Sequence, residues 1–592
     1  MVRIAIVDKS KCTREQCGYV CIKYCPGVRM GDETIVKDAE GFPLISETLC
    51  TGCGICPKKC PVGALKIINL LEEKGKLVFQ YGANAFRLYN LPLPKKNSVV
   101  GIIGANGMGK STALKILSGK LKPNLGRYDE DEADLREVIS QFKGQEIQNY
   151  FLELEKGARV SYKPQSVGKI PEVFDGTVRE MLKLSDERKI MDEAVRTFEL
   201  EVCLDRKVGV LSGGELQRAA ICAAFMRGAD VYYFDEPSSY LDIRQRMKTA
   251  RHIKGLAEKE GKSVIVVEHD LAVLDYMSEY IHVFYGCEGA YGVVSSLKGV
   301  RNGINEYLEG FLKEENVKFR DYRISFEARA TGGESRAAPA LAYDAMEKTY
   351  GNFHLACAPG DARRGEIIGI VGENAIGKSS FIKLLAGVEK PDTGEAPREL
   401  RISYKPQYVE SDFSGTVGEL FADAKIDREI FENHAKKIMG VEELMEKSVS
   451  SLSGGELQRV AISLCASQPA DIYLFDEPSA FLDIEQRLLF ADMLKKIIDA
   501  NGKIAFVVDH DIVLIDAISS RLIVFEGEPG VRGVADPPQD KRDGMNKFLR
   551  AVGITLRRDK DTLRPRVNKP GSVADREQKE AGEYYYSSEK GG

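Results

Sequence analysis

The sequence predicts an α/β chain in which one nucleotide-binding domain occurs twice, head to tail, behind a small α+β domain rich in cysteine, with hinge segments joining them. Three observations carry that prediction. The octapeptide LSGGELQR stands at 211–218 and again, unchanged, at 452–459; the phosphate-loop pattern G-x-x-x-x-G-K-S/T is met twice, by GANGMGKS (104–111) and GENAIGKS (372–379); and eight of the 13 cysteines lie in the first 60 residues. A Ser-Gly-Gly turn offers a hydroxyl and backbone N–H groups to a phosphate but no lysine, metal ligand or base, so LSGGELQR is half of a site. Two half-sites and two phosphate loops facing one another head to tail make two whole ones.

At 592 residues the chain is too long for one core, and about 150 residues per domain gives roughly four domains. A net charge of -5 excludes a global basic field for nucleic acid, so any polyanion contact must come from local patches. No run approaches the ~18 apolar residues of a membrane span, and the opening MVRIAIVDKSKC lacks the apolar core of a signal peptide. The expectation is a soluble cytoplasmic monomer with no membrane partner.

Residues 1–75 hold Cys12, Cys17, Cys21 and Cys25 before Pro26, then Cys50, Cys53, Cys56 and Cys60 before Pro61. The second quartet reads C-x2-C-x2-C-x3-C-P, in which three thiolates reach one cubane and the fourth turns to another. That crossing predicts one [4Fe-4S] cluster on Cys50, Cys53, Cys56 and Cys25 and a second on Cys12, Cys17, Cys21 and Cys60, in a ferredoxin-like domain. A pair of four-thiolate zinc sites competes, but zinc knuckles use separated cysteine pairs. Cys203, Cys222, Cys287, Cys357 and Cys465 stand singly and read as ordinary buried thiols.

Residues 76–300 read as the first nucleotide-binding domain. SVVGIIG (98–104) is a buried strand running into the phosphate loop, and Lys110, Ser111 and Thr112 open a helix. Gly104, Asn106, Gly107 and Gly109 bring backbone N–H groups to the phosphates, Lys110 reaches the β and γ groups, and Ser111 is a Mg2+ ligand. Gln165 in YKPQ can ligate the metal or orient water. VYYFDEP (231–237) ends an apolar strand with Asp235, a Mg2+ ligand, and Glu236, which polarises water; VIVVEHD delivers His269 towards the γ-phosphate. An isolated histidine there would read as a satisfied core residue; the order of motifs reverses that.

Residues 341–535 repeat the series with Gly372, Asn374, Gly377, Lys378, Ser379 and Ser380, then Gln407, Asp476, Glu477 and His510. From signature leucine to aspartate is 24 residues in both copies, and from aspartate to histidine 34 in both. The copies differ between lysine and glutamine, 55 residues against 29, which predicts an inserted helical hairpin at about 129–156 with stripes Leu135, Val138, Ile139, Phe142 and Ile147, Tyr150, Phe151, Leu154. Those stripes either pack together or mark a partner site. Residues 301–340 and 536–569 read as hinge and linker, because RNGINEYL (301–308) matches RDGMNKFL (542–549). The arginines that follow (Arg320, Arg323, Arg329; Arg550, Arg557, Arg558, Arg564, Arg566) are expected to touch RNA phosphate. Residues 570–592 are expected to be disordered.

The order of phosphate loop, YKPQ, LSGGE, FDEP and histidine resembles the ATP-binding cassette superfamily over about residues 76–535. With the eight-cysteine N-terminus and the duplicated hinge, the chain resembles the RNase L inhibitor family, ABC subfamily E of archaea and eukaryotes, over nearly its whole length. The resemblance implies an ATPase converting ATP to ADP with Mg2+, which splits ribosomes into subunits after termination or stalling. It implies a release-factor-like partner and a place on the small ribosomal subunit (rRNA and protein) near initiation, with initiation factors as further partners. It implies that hairpin and hinges contact that subunit. It also makes Tyr81 and Tyr350, 29 and 28 residues ahead of the loop lysines, the adenine-stacking aromatics. Ser212, Gly213 and Gly214 would complete the second domain's site and Ser453, Gly454 and Gly455 the first domain's. Two departures stand out: Glu215 and Glu456 replace the usual transporter glutamine, and Ala375 replaces the counterpart of Gly107, so two unequal sites are expected. A membrane transporter would give no reason for two clusters, a DNA-repair cassette protein usually carries long coiled coils or zinc modules that the sequence lacks, and an ATP-driven electron-transfer protein would use its clusters at low potential.

Overall fold

The computed structural model describes residues 3–69, 75–129, 135–326, 339–397, 400–409 and 413–585. Two nine-stranded mixed sheets share one strand order, and short two-stranded ribbons build the N-terminal domain and the hinges. In the first sheet, strand Ser98–Gly104 lies between Ser263–Val267 and Tyr280–Cys287, all parallel. Val231–Asp235 and Val160–Lys163 continue outward in the same sense. The second sheet repeats this around Ile367–Val371, with Ile504–Val508 and Arg521–Glu528 beside it. The apolar runs behave as strands covered on both faces: every residue of Val231–Asp235 and of Ile472–Asp476 is buried. Register sets Asp235 level with Val267, so phosphate loop, Asp235 and His269 all emerge at the carboxyl ends of neighbouring strands, where open α/β sheets bind ligands. Both sheets end in an antiparallel edge, Leu77–Gln80 with Arg87–Tyr89 and Met346–Tyr350 with Phe353–Cys357. Those edges place Tyr81 and Tyr350 beside the loops.

The insertion forms helices Leu135–Gln141 and Glu146–Glu155. Its apolar stripes face inward: Val138, Phe142, Ile147, Tyr150 and Phe151 are buried, the Phe142 and Phe151 rings stack 5.8 Å apart, and Tyr150 donates to Leu117 O while accepting from the Tyr233 hydroxyl. Residues 130–134 of the insertion lie outside the described residues.

In the N-terminal domain, strand Arg3–Val7 pairs antiparallel with Leu65–Asn69 and its two faces do different work. Ala5 and Val7 pack with Cys21, Cys25 and Cys56, whereas Ile4 and Ile6 join the core that holds Tyr89 and Tyr291. Asn84 fastens the two bodies: its amide exchanges hydrogen bonds with Ile45 at 2.7 and 3.0 Å and its carbonyl accepts from Val7 N at 2.9 Å. Arg87 pairs with Glu47 at 2.9 Å alongside.

One expectation is overturned. Residues 570–585 are ordered rather than disordered: helix Val573–Glu580 is capped by Ser572, and Tyr585 is 3% exposed. Apolar burial and internal ion pairing hold this polar stretch; residues 586–592 lie outside the described residues. The hinge arginines divide between the interior and the surface. Arg320 and Arg564 are buried, and Arg558 and Arg566 pair with Asp516 and Asp275, because the hinge buries carboxylates that need cations. Arg323, Arg550 and Arg557 stay exposed, and Arg329, with residues 331–338 of the small polar linker, lies outside the described residues.

Candidate active sites

Each phosphate-loop helix, Lys110–Leu117 and Lys378–Leu385, starts from a left-handed glycine, Gly109 (φ 85°) or Gly377 (φ 97°), so its first N–H groups point into the loop. Lys110 Nζ donates to Gly104 O and Ala105 O, both at 2.8 Å, and Lys378 folds likewise onto Gly372 O and Glu373 O. Burial lowers the affinity of both lysines for their protons, opposed at Lys110 by Asp483, Glu236 and Asp235. The Tyr81 hydroxyl lies 3.0 Å from Thr112 Oγ1, and Tyr350 bonds Glu389 with Ser380 near. Tyr81 is 54% exposed, an open aromatic face beside the loop.

Behind each loop lies one carboxylate cluster. Glu236 takes 2.6 Å from Gln165 Nε2 and lies 3.4 Å from His269 Nε2; Glu477 takes 2.9 Å from Gln407 and lies 3.4 Å from His510. Both glutamates have left-handed backbones, φ 48° and 47°, a strained conformation that functional sites retain. Burial would raise both carboxyls, but the histidine contact, with the loop lysine, holds each down to about 2. Asp235 and Asp476 go the other way: burial, with the neighbouring glutamate, raises both, Asp476 to about 6. Ser111 and Ser379 stand beside these aspartates. Asp235 Oδ1 and both Asp476 carboxylate oxygens are buried without a hydrogen-bond partner among the described residues. Hard oxygen donors in that arrangement fit Mg2+.

The domains meet head to tail. Asn106 N donates to Asp483 Oδ2 at 3.0 Å and Asn374 N to Asp242 Oδ2 at 2.9 Å, each phosphate loop reaching the other domain. Asn374 Nδ2 also reaches Tyr240 O at 3.2 Å. The signature helices, Gly213–Phe225 and Gly454–Ser467, begin at Ser212 and Ser453 in full capping boxes closed by Glu215 and Glu456. Glutamine could close the same box; what Glu215 and Glu456 add is an ion pair, with Arg206 and Lys447 respectively. Gly213 and Gly214 lie against Tyr240, and Gly454 and Gly455 against Phe481, the aromatic residues just before Asp242 and Asp483.

Sequence reasoning passed over four pairs. Asp242 and Asp483 join the domains; Tyr240 and Phe481 meet edge to face at 6.0 Å; Lys163 and Lys405 bond the carbonyls of Asp235–Glu236 and Asp476–Glu477; and Gln217 and Gln458 bond Glu236 O and Glu477 O. The signal was available in the duplicated FDEPSSYLD and FDEPSAFLD, which keep Leu-Asp at one offset.

The eight thiols fall into two sets. Cys25, Cys50, Cys53 and Cys56 line one pocket, partly open to solvent, together with Leu49, Thr51 and Gly54. Burial pushes the Cys56 thiol up to about 12, with Cys50, Cys25 and Cys53 pushing the same way; burial raises Cys21 to about 11, with Cys17, Cys12 and Cys60 adding to it. These are the crossed quartets. Four thiols around one pocket, the fourth of them supplied by the other cysteine run, fit the crossed binding of a cubane.

The fold and paired sites define an ATP-binding cassette ATPase in which one chain supplies both halves of both sites. The family described as "ABC transporter" matches residues 91–239 and 359–480, "Possible Fer4-like domain in RNase L inhibitor, RLI" residues 2–33, and "4Fe-4S binding domain" residues 43–66. Translation initiation factor RLI1 of Chaetomium thermophilum is 46% identical over 100% of this chain and 98% of its own. Among solved structures, ribosome-bound archaeal Pelota and ABCE1 supplies a chain that matches with TM-score 0.92 at 52% identity over 99% of both chains. Archaeal ribosome recycling factor aABCE1, in complex with ribosomal stalk protein aP1, matches at 0.83 and 53%, over 88% of this chain and 100% of that one. The chain belongs to the RNase L inhibitor family, ABC subfamily E. Its cofactors are two [4Fe-4S] clusters and Mg2+, and it hydrolyses ATP.

Proposed function

We propose that this protein splits ribosomes into subunits after termination or stalling, by ATP-driven closure of its two cassettes, and acts on the small subunit near initiation. The reading rests on the reciprocal contacts Asn106–Asp483 and Asn374–Asp242, in which each phosphate loop donates to an aspartate of the other domain. It is supported by what the relatives are called: a recycling factor, a ribosome-bound partner of Pelota, and an initiation factor. By that analogy its partners are the small ribosomal subunit, a release-factor-like protein of Pelota's kind and initiation factors, and its place is the cytoplasm. Among the described residues no helix is long and apolar enough to cross a membrane.

In this reading Lys110 and Lys378, with the loop N–H groups, bind the phosphates, while Tyr81 and Tyr350 stack on adenine. Ser212, Gly213 and Gly214 cover the γ-phosphate held by the second domain; Ser453, Gly454 and Gly455 cover that held by the first. Ser111, Gln165 and Asp235, or Ser379, Gln407 and Asp476, would hold Mg2+, which when bound neutralises charge on the phosphates. Glu236 and Glu477, ionised at neutral pH, accept a hydrogen bond from water and aim it, and His269 and His510 fix their orientation. Closure does mechanical work only if nucleotide binds the closed state more tightly than the open one.

Sedimenting ribosomes with this protein, a Pelota-like factor and ATP tests the reading: free subunits are expected. A nonhydrolysable analogue should support one round. Combining Glu236→Gln with Glu477→Gln should cut steady-state hydrolysis at least about a hundredfold, and the single variants should differ. Ribosomes that sediment intact under all conditions contradict it.

A further inference from the structure

Two carboxylates outside the sites occupy matching places. Asp275 lies six residues past His269 and Asp516 six past His510. Each sits on the helix that begins beside its histidine, Leu271–Met277 capped by Asp270 and Ile512–Ile518 capped by Asp511, and both are buried. A buried carboxylate needs a cation, and one short hairpin supplies it to both. Strand Leu556–Arg558 pairs with Pro565–Val567 in the second hinge. Arg558 grips Asp516 through two bonds of 2.6 and 2.9 Å, and Arg566 on the other strand grips Asp275 through two of 2.6 and 2.9 Å. Arg564 Nη1 lies 3.4 Å from the same Asp275 carboxylate, while Lys541 at 3.3 Å and the Tyr585 hydroxyl at 2.5 Å complete the surroundings of Asp516.

The hairpin therefore holds the post-histidine helix of each domain, one per strand. Its Asp559 also takes Arg301 at 3.0 Å and Arg566 at 3.2 Å, tying it to helix Val300–Glu309. At their other ends the two gripped helices are linked by Arg246, whose Nη1 reaches Asp270 Oδ2 at 2.9 Å and His510 O at 3.3 Å. Two-pronged guanidinium–carboxylate pairs are directional, and separating one inside the protein strands both charges. A helix that shifts with its histidine must drag the hairpin or lose its pair, and the hairpin is bound just as firmly to the other helix.

We propose that this hairpin couples the two ATP sites, with Asp275 and Asp516 as positioning residues that carry the placement of His269 to His510 and back. The proposal rests on the reading of the two clusters as paired ATPase sites. Such coupling is reciprocal by thermodynamic necessity. Pairs that only fastened the C-terminal segment would change stability and leave the two sites independent.

Additivity of turnover separates these roles. In the full chain with Mg-ATP, Glu477→Gln leaves the first site working and Glu236→Gln the second; independent sites give two rates that sum to that of the unsubstituted protein. Coupled sites should depart from that sum by at least about fivefold. Adding Asp275→Asn to each of the three backgrounds should return the sum to within about twofold of additivity. Arg566→Lys and Arg558→Lys, which keep the charge but lose the two-pronged grip, should do the same, and they decide the matter if Asp275→Asn fails to fold. An additive sum in the unsubstituted protein, or a departure the hairpin variants leave unchanged, overturns the proposal. Hydrolysis undiminished by either glutamate substitution would instead overturn the assignment of the sites.

Discussion

At the scale of single residues, the two sites differ most where Gly107 faces Ala375. Both positions are left-handed, φ 72° and 55°, so alanine at 375 already bears the strain that glycine avoids at 107. A Cβ on Gly107 would meet Glu288 Cγ at 2.7 Å. In the second domain the residue matching Glu288, 19 past the histidine, is Pro529, which has no carboxylate stem to collide. Gly107→Ala is therefore expected to weaken ATP binding at the first site by about 1–2 kcal/mol, a tenfold or so loss in affinity read by nucleotide titration. Ala375→Gly should leave second-site affinity nearly unchanged. Equal losses in both would mean that Glu288 beside the loop has no part in the difference between the sites. The glutamates and histidines behind the loops were readable from motif order, since strand, carboxylate pair and histidine each occupy a fixed offset. Asp242 and Asp483 were as regularly placed, yet an aspartate that opens a helix looks like an ordinary cap until the opposite loop is seen to donate to it.

At the scale of elements, the buried strands and phosphate-loop helices follow from local pattern, because an apolar β-branched run bounded by glycine has few other solutions. The inserted hairpin was legible for the same reason, its stripes recurring at helical spacing. The second hinge was not. Arg566 and Asp275 are 291 residues apart and Arg558 and Asp516 are 42 apart, and no periodicity connects an arginine to a carboxylate on another domain. Of the arginines that read as an RNA-facing patch, Arg320, Arg558, Arg564 and Arg566 turn to carboxylates within the protein, whereas Arg323, Arg550 and Arg557 face solvent. The Asp516 pair also sets a pH dependence. Burial raises its carboxyl, but Lys541 and Arg558, with the Tyr585 hydrogen bond, outweigh burial and lower it below its ordinary value. A depressed folded value means that the pair stabilises fully above the unfolded value, near pH 4, and loses that contribution as pH falls through the folded one. Asp516→Asn should thus cost on the order of 3 kcal/mol at neutral pH, measured by urea unfolding of the full chain. The gap from the unsubstituted protein should stay level down to about pH 4 and close below it. A gap already gone at about pH 5.5 would assign the stabilisation to another group.

At the scale of the whole molecule, closure has to reach the cluster domain, and the structure gives it a narrow connection to do so. Ile4 and Ile6 supply apolar contact, but direction comes from Asn84, which fixes Val7 and Ile45 at once, and from the Arg87–Glu47 pair. Asn84 is buried, so Asn84→Ala leaves backbone groups of Ile45 without their partner, a cost of about 1–3 kcal/mol. That is enough to populate a loosened N-terminal domain without unfolding either cassette, whose cores lie on the central strands far from this edge. Neither Asn84 nor Glu47 belongs to an ATP site, so ATP turnover should stay within about twofold of the unsubstituted rate. Subunit splitting in the sedimentation experiment should fall severalfold, because closure would spend itself in slack at the loosened joint. Joining Asn84→Ala with Glu47→Ala should deepen the loss, the two contacts acting on one interface. Splitting that survived both substitutions at full rate would mean that the cassettes act on the ribosome directly, and that the cluster domain follows their motion without transmitting it.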